Sequence, residues 1–160
     1  MTKNFRYNVA GHVFEVILPD GFSETEYLAP YVPFICDADC EPLFRLKISL
    51  SDDLAAERKG KVRNCFNDEP PYFWIFEDGD GKFSFGFSYT KAHPDCILHT
   101  SDDFSSNVVY VGERNAGRFV EFALSNALML LYTFRTSPFQ TLMVHASVIA
   151  HDGGGYMFLG

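Results

Sequence analysis

The side chains that could do chemistry here are few, and the most suggestive lie in the run Leu142 to Gly160, LMVHASVIAHDGGGYMFLG. The run reads as a strand, a tight glycine turn and a second strand. Strand alternation puts Met143, His145, Ser147 and Ile149 on one face. An imidazole titrates near neutrality, so His145 is a candidate proton-handling group. The competing reading is a histidine satisfied within a sheet, and for Ser147 a structural role is favoured. The apolar strand Tyr156-Met157-Phe158-Leu159 then runs into Gly160. A phosphate-binding loop, G-x-x-x-x-G-K-[ST], also opens with a glycine after a strand. Gly160 supplies at most that first glycine, and a lone glycine is a weak signal.

Other constellations carry less. Asp152-Gly153-Gly154-Gly155 has the glycine content of a phosphate cradle, but such a cradle should open a helix so that amides converge on the anion. Between two strands it reads as a hairpin turn. Asp78 and Asp80 with Gly79 and Gly81 match part of a calcium loop, but the third ligand and the distant Glu are missing at the required offsets. His93, Cys96 and His99 form H-x-x-C-x-x-H, all zinc-binding types, with Cys36 or Cys40 as a further ligand. Pro94 and the strand-like Ile97-Leu98 do not bring three ligands to one point. None of Cys36, Cys40, Cys65 and Cys96 opens a helix that would lower its pKa. Asp52-Asp53 and Asp102-Asp103 are adjacent residues in polar loops and cannot flank a substrate. Trp74, Tyr72, Phe73 and Phe76 have the makings of a stacking surface. They read more simply as the two faces of one strand.

The elements that must position these groups follow from pattern. Phe5 to Leu18 reads as a hairpin about Ala10-Gly11, closed by Pro19-Asp20-Gly21. Ser23 is placed to cap a short helix with Glu24 and Glu26 in its first turn. Pro30 and Pro33 forbid a long one, and residues 30–42 read as an irregular crossing with Phe34 and Ile35 tucked in. Leu43 to Leu50 alternates, with Phe44, Leu46, Ile48 and Leu50 facing inward. Asp52 to Lys61 reads as a surface turn or helical piece. Tyr72 to Phe76 and Lys82 to Tyr89 form the clearest hairpin, with Phe83, Phe85 and Phe87 on its core face. Ile97 to Thr100 and Val108 to Val111 are two further strands. Phe119 to Arg135 is the one long helix. It is apolar almost all round, so burial on more than one side is expected. Arg135 suits its C-terminus and Pro138 prevents continuation.

The totals fit one α+β domain. The chain has 160 residues, 47% hydrophobic and 16% aromatic, with 17 Phe, enough for a sheet-rich core. A net charge of −8 argues against a nucleic-acid partner and against an anionic membrane surface. Met1 to Gly11 lacks the apolar core of a secretory signal, and no stretch reads as a membrane span. The cysteines are expected reduced, in a cytoplasm. The expected architecture is an antiparallel, Phe-rich sheet packed on one long buried helix, followed by a C-terminal hairpin.

The terminal run resembles the strands that lead into the nucleotide site in the HPr kinase/phosphatase-like and PEP carboxykinase-like P-loop families. The likeness covers about the last 20 residues well and the preceding helix loosely. It implies that His145 stands where those proteins carry an active-site histidine, and Gly160 at the first loop glycine. It divides the chain into an N-terminal α+β domain, 1–138, and the beginning of a P-loop kinase-like core, 139–160. The implied parent is an ATP-dependent phosphotransferase that uses Mg²⁺ and acts on a protein or small-molecule hydroxyl. The Lys and Ser/Thr such a site needs are not among these residues, so the chain alone is expected neither to catalyse nor to bind ATP tightly. A stand-alone binding module, or one that self-associates through the edge of the terminal strand, is the alternative.

Overall fold

The computed structural model describes residues 2–113, 116–144 and 146–159. Its main body is one eight-stranded sheet with a long helix across one face. In chain order the strands are β1 (Lys3–Val9), β2 (His12–Leu18), β3 (Arg45–Ser51), β4 (Lys61–Phe66), β5 (Tyr72–Glu77), β6 (Phe83–Ser88), β7 (Cys96–Thr100) and β8 (Ser106–Gly112). Short helices α1 (Glu24–Tyr27) and α2 (Leu54–Glu57) precede the long α3 (Ala116–Thr136). The spatial order is β1-β2-β3-β8-β7-β6-β5-β4. Pairing is mostly antiparallel, but β3 runs parallel to both its neighbours, β2 and β8. The sheet is therefore mixed, not antiparallel throughout. Sequence pattern finds strands without saying which neighbour each will take, and a parallel partner lies far away in the chain.

Helix α3 begins earlier than its apolar run suggests. Its buried residues, Ala116, Phe119, Val120, Ala123, Leu124, Ala127, Leu128, Leu131 and Tyr132, recur at three- and four-residue steps, the mark of one face against a sheet. The alanines let the backbone come close. The outer face stays open, with Met129 51% and Phe134 47% exposed. The expected burial on several sides is thus corrected: the helix covers one face and is not sandwiched. Below it lie Phe14, Val16, Leu46, Ile48, Val109, Leu98, Phe85 and Phe87, all buried. Phe14 stacks on Phe44 with centroids 5.1 Å apart, and Phe73 contacts Phe85 and Phe87. Phe83, expected in that core, is 48% exposed at the start of β6, beyond the reach of α3. At the far end of the helix Arg135 donates to the carbonyls of Leu43 and Asp103 and so ties three segments together.

Residues 29–34 form a 3₁₀ turn rather than irregular chain. Phe34 and Ile35 are 42% and 48% exposed, not tucked in. The backbone here serves the sheet edge instead: Ile35 bridges to Tyr7, and the Cys36 amide donates to the Arg6 carbonyl. Tyr7 is fully buried and donates to Glu24 of α1. At the opposite edge, β4 is a strand that the sequence pattern does not announce. It is polar, exposed and irregular between Val62 and Asn64, which suits an edge that must resist further pairing.

After a second 3₁₀ turn, Ser137–Phe139, come β9 (Ala146–His151) and β10 (Gly154–Leu159). They pair antiparallel about Asp152-Gly153 and form a two-stranded sheet separate from the large one. No helix among the described residues is long and apolar enough to cross a membrane.

Candidate functional site

The two residues singled out by the terminal run, His145 and Gly160, lie outside the described residues, immediately before β9 and immediately after β10. What surrounds them is clear. Leu142, Met143 and Val144 are 79%, 45% and 50% exposed, and Ile149 and Met157 are each 57% exposed. The Asp152–Gly155 glycines serve a two-residue turn between strands, so their amides do not converge at a helix start as a phosphate cradle requires. The described residues of this run form a hairpin turn and no phosphate cradle.

The other candidates are separated by the pleat. Cys96 points into the core beneath α3, fully buried, and burial pushes its thiol well above the usual range. His99, three residues on, faces the opposite side, where its Nε2 lies 2.7 Å from the Glu57 carbonyl. His93 is exposed in the loop before β7. The three therefore do not share a point. Asp78 accepts from the amides of Asp80 and Lys82, both at 2.9 Å, and these bonds hold its carboxyl below the ordinary value. It is the organiser of the β5–β6 turn. Asp53 caps α2 through the Ala56 amide. Asp103 accepts from Ser101 and Ser105, led by the Ser105 hydroxyl, which lowers its pKa to about 2. Trp74 and Phe76 are buried on the face away from α3, so the aromatic strand has two covered faces.

Two assemblies emerge that spacing did not announce. The first is ionic. Glu15 interrupts the apolar β2 and is 6% exposed on the face away from α3. Its Oε2 lies 3.1 Å from Arg6 Nε on β1, and its Oε1 3.2 Å from Arg45 Nε on β3. Arg6 also donates to the carbonyls of Ala38 and Cys40, and Arg45 to Glu41. The Glu41 bond comes first among the causes that raise the Arg45 pKa. A lone carboxylate in a strand reading HVFEVIL was the available signal. Both arginines are bonded to it and to the neighbouring loop, so the cluster joins three strands to the 36–41 loop.

The second assembly is a cavity of about 380 Å³ at the C-terminal ends of the parallel pair β3 and β8. Leu54 of α2, Pro94, Ile97 and Phe119 of α3 give it apolar walls, and Asp52, Arg58, His93 and Glu113 stand around it. Pro94 is held tightly against the sheet: a Cβ on Gly86 would lie 2.9 Å from its Cγ. Asp95 is committed to the turn, accepting from Ser88 and the Tyr89 amide. The place is a favoured one for ligands, outside the carboxyl ends of parallel strands where the strand order switches direction. No spacing rule could reveal it, because its walls come from segments about 60 residues apart. Compared with models of known protein families, with curated proteins and with solved structures, the chain matches none.

Proposed function

We propose that this chain is the N-terminal, non-catalytic region of an HPr kinase-like, ATP-dependent phosphotransferase of the cytoplasm. In that reading residues 1–138 assist substrate recognition or assembly, and 139–160 lead into the phosphate-binding core. His145 would act in the intact protein, and Gly160 would open its P-loop. One observation carries the reading. The β9–β10 hairpin stands apart from the large sheet with Ile149 and Met157 more than half exposed. A two-stranded hairpin is marginal in water by itself, and the further strands of a kinase core would cover these side chains. The acceptor hydroxyl, on a protein or a small molecule, is bound by that larger assembly.

The test begins with the intact mass of the protein as its own cell makes it. A mass well above 18.1 kDa is expected, with phosphoryl transfer that His145→Ala abolishes. A mass equal to these residues, or full transfer by the variant, overturns the proposal. The 160 residues alone should show no micromolar affinity for Mg-ATP.

The same hairpin favours one alternative. Its outer strand edges have no partner strand among the described residues, and such an edge pairs readily with a second copy. Concentration-dependent dimerisation in sedimentation, removed by a proline at Met157, would support a self-association module. A monomer at high concentration would dismiss it.

A further inference from the structure

The cavity between α2, the 93–95 loop and the first turns of α3 has no part in the phosphotransferase reading, and its chemistry is specific. Its walls are mostly apolar, and about 380 Å³ is within the range that holds a compact small molecule. Of the charged groups around it, Asp95 is bonded into its own turn. Arg58 lies over the Phe76 ring, its Cζ 5.9 Å from the centroid. Asp52 and Glu113 directly follow Ser51 and Gly112, the last paired residues of the parallel β3–β8 ladder. The ends of the parallel pair therefore bring both residues into the lining of one mostly apolar pocket. Both are exposed, and neither has a hydrogen-bond or ion-pair partner among the described residues.

The geometry points to a binding site for a small primary amine with a compact, branched apolar body. The hydrocarbon would fill the space against Leu54, Pro94, Ile97 and Phe119, and the ammonium group would donate to Asp52 and Glu113 at the mouth. Burying apolar surface supplies affinity, and the two carboxylates select the sign of charge. An anionic analogue of the same shape would meet two like charges. A neutral one would gain the hydrocarbon contact alone.

Four probes of matched shape separate these contributions: 3-methylbutylamine, 3-methylbutan-1-ol, 3-methylbutanoate and leucine, each titrated into the 160-residue chain and followed by amide NMR. The amine is expected to saturate in the low millimolar range, moving the amides of Ser51–Arg58, Asp95–Ile97 and Gly112–Glu113. The alcohol should bind about tenfold more weakly, a difference of about 1.4 kcal/mol. The carboxylate should not saturate, and leucine should fall below the amine. Asp52→Asn with Glu113→Gln should bring the amine down to the level of the alcohol. Both side chains are exposed, so the unfolding midpoint should not move. Ala55→Phe, which fills the cavity from an exposed position, should abolish binding of amine and alcohol alike. Equal affinity for amine and carboxylate, an amine response unchanged in the doubly substituted chain, tightest binding by leucine, shifts centred elsewhere, or no saturation by the amine would each overturn the assignment.

Discussion

Two hairpins of this chain share one local design and meet different fates. Both β1–β2 and β9–β10 are antiparallel about two-residue turns, Ala10-Gly11 and Asp152-Gly153, with positive φ at both turn residues. Asp-Gly is among the strongest short-range signals for such a turn, whereas alanine is poor at a left-handed position. The better turn thus belongs to the hairpin that lies apart from the main sheet. The poorer one, itself exposed, joins strands that are anchored to the core: Phe14 and Val16 are buried, Tyr132 of α3 donates to the Val9 carbonyl, and β3 extends the sheet alongside β2. Turn chemistry decides that a hairpin forms. Tertiary cover decides how firmly it is held.

This contrast can be broken or sharpened in stages. The largest expected effect is in native-state hydrogen exchange. The amides bonded between β1 and β2 should open only with global unfolding, while those bonded between β9 and β10 should exchange about a thousandfold faster or more. Equal protection would erase the distinction. Next, Leu124→Ala, at a fully buried position on the inner face of α3, should cost about 3 kcal/mol in denaturant unfolding and leave exchange in β9–β10 unchanged. Glu15→Gln leaves Arg6 and Arg45 without their shared carboxylate. Because both arginines are partly exposed, the loss should be about 1–2 kcal/mol, less than for a fully buried pair. Ala10→Asn should relieve the left-handed turn (φ 49°) and raise the unfolding free energy by about 0.5–1 kcal/mol. The opposite swap, Asp152→Ala, should leave global stability untouched.

The smallest effect is a pH dependence. The folded pKa of Asp103, about 2, lies below the unfolded value of about 3.9. Its contribution is therefore present above the unfolded value and is lost as pH falls toward 2. Asp103→Asn should remove that small acid-limb component, seen as a flatter stability profile between those values.

Much of the main sheet was legible because its strands alternate and its turns carry Gly, Asp and Pro. Tyr72–Glu77 with Phe83–Ser88, and the hairpin about Ala10-Gly11, fall where pattern puts them. Strand β4 escaped because an exposed edge strand such as KVRNCF has no buried face to impose a period. Phe34 and Ile35 misled because that stretch covers the edge of β1 with its backbone and turns its side chains outward. Phe83 misled because alternation assigns a face without saying how far the covering helix extends. The partners of Glu15 and the cavity were missed for another reason. The cavity, and the Arg45 arm of the cluster, are assembled across parallel strands that nothing local encodes as neighbours, whereas Arg6 faces Glu15 across the local β1–β2 hairpin.

That seam also sets a timetable. The strand order joins two antiparallel blocks, β1–β2 and the meander β4 to β8, through β3, whose partner β8 lies about 60 residues further along the chain. Local pairings form quickly, and distant ones wait on the closure of a long loop. As the chain leaves the ribosome, β3 emerges with one side open and stays so until the whole meander and β8 have followed. Its apolar residues Leu46 and Ile48, buried at the end, then wait still longer, for the face of α3 that follows β8. The late joining of the two blocks is the step at which mutation, crowding or a chaperone would act most strongly on the yield of folded protein.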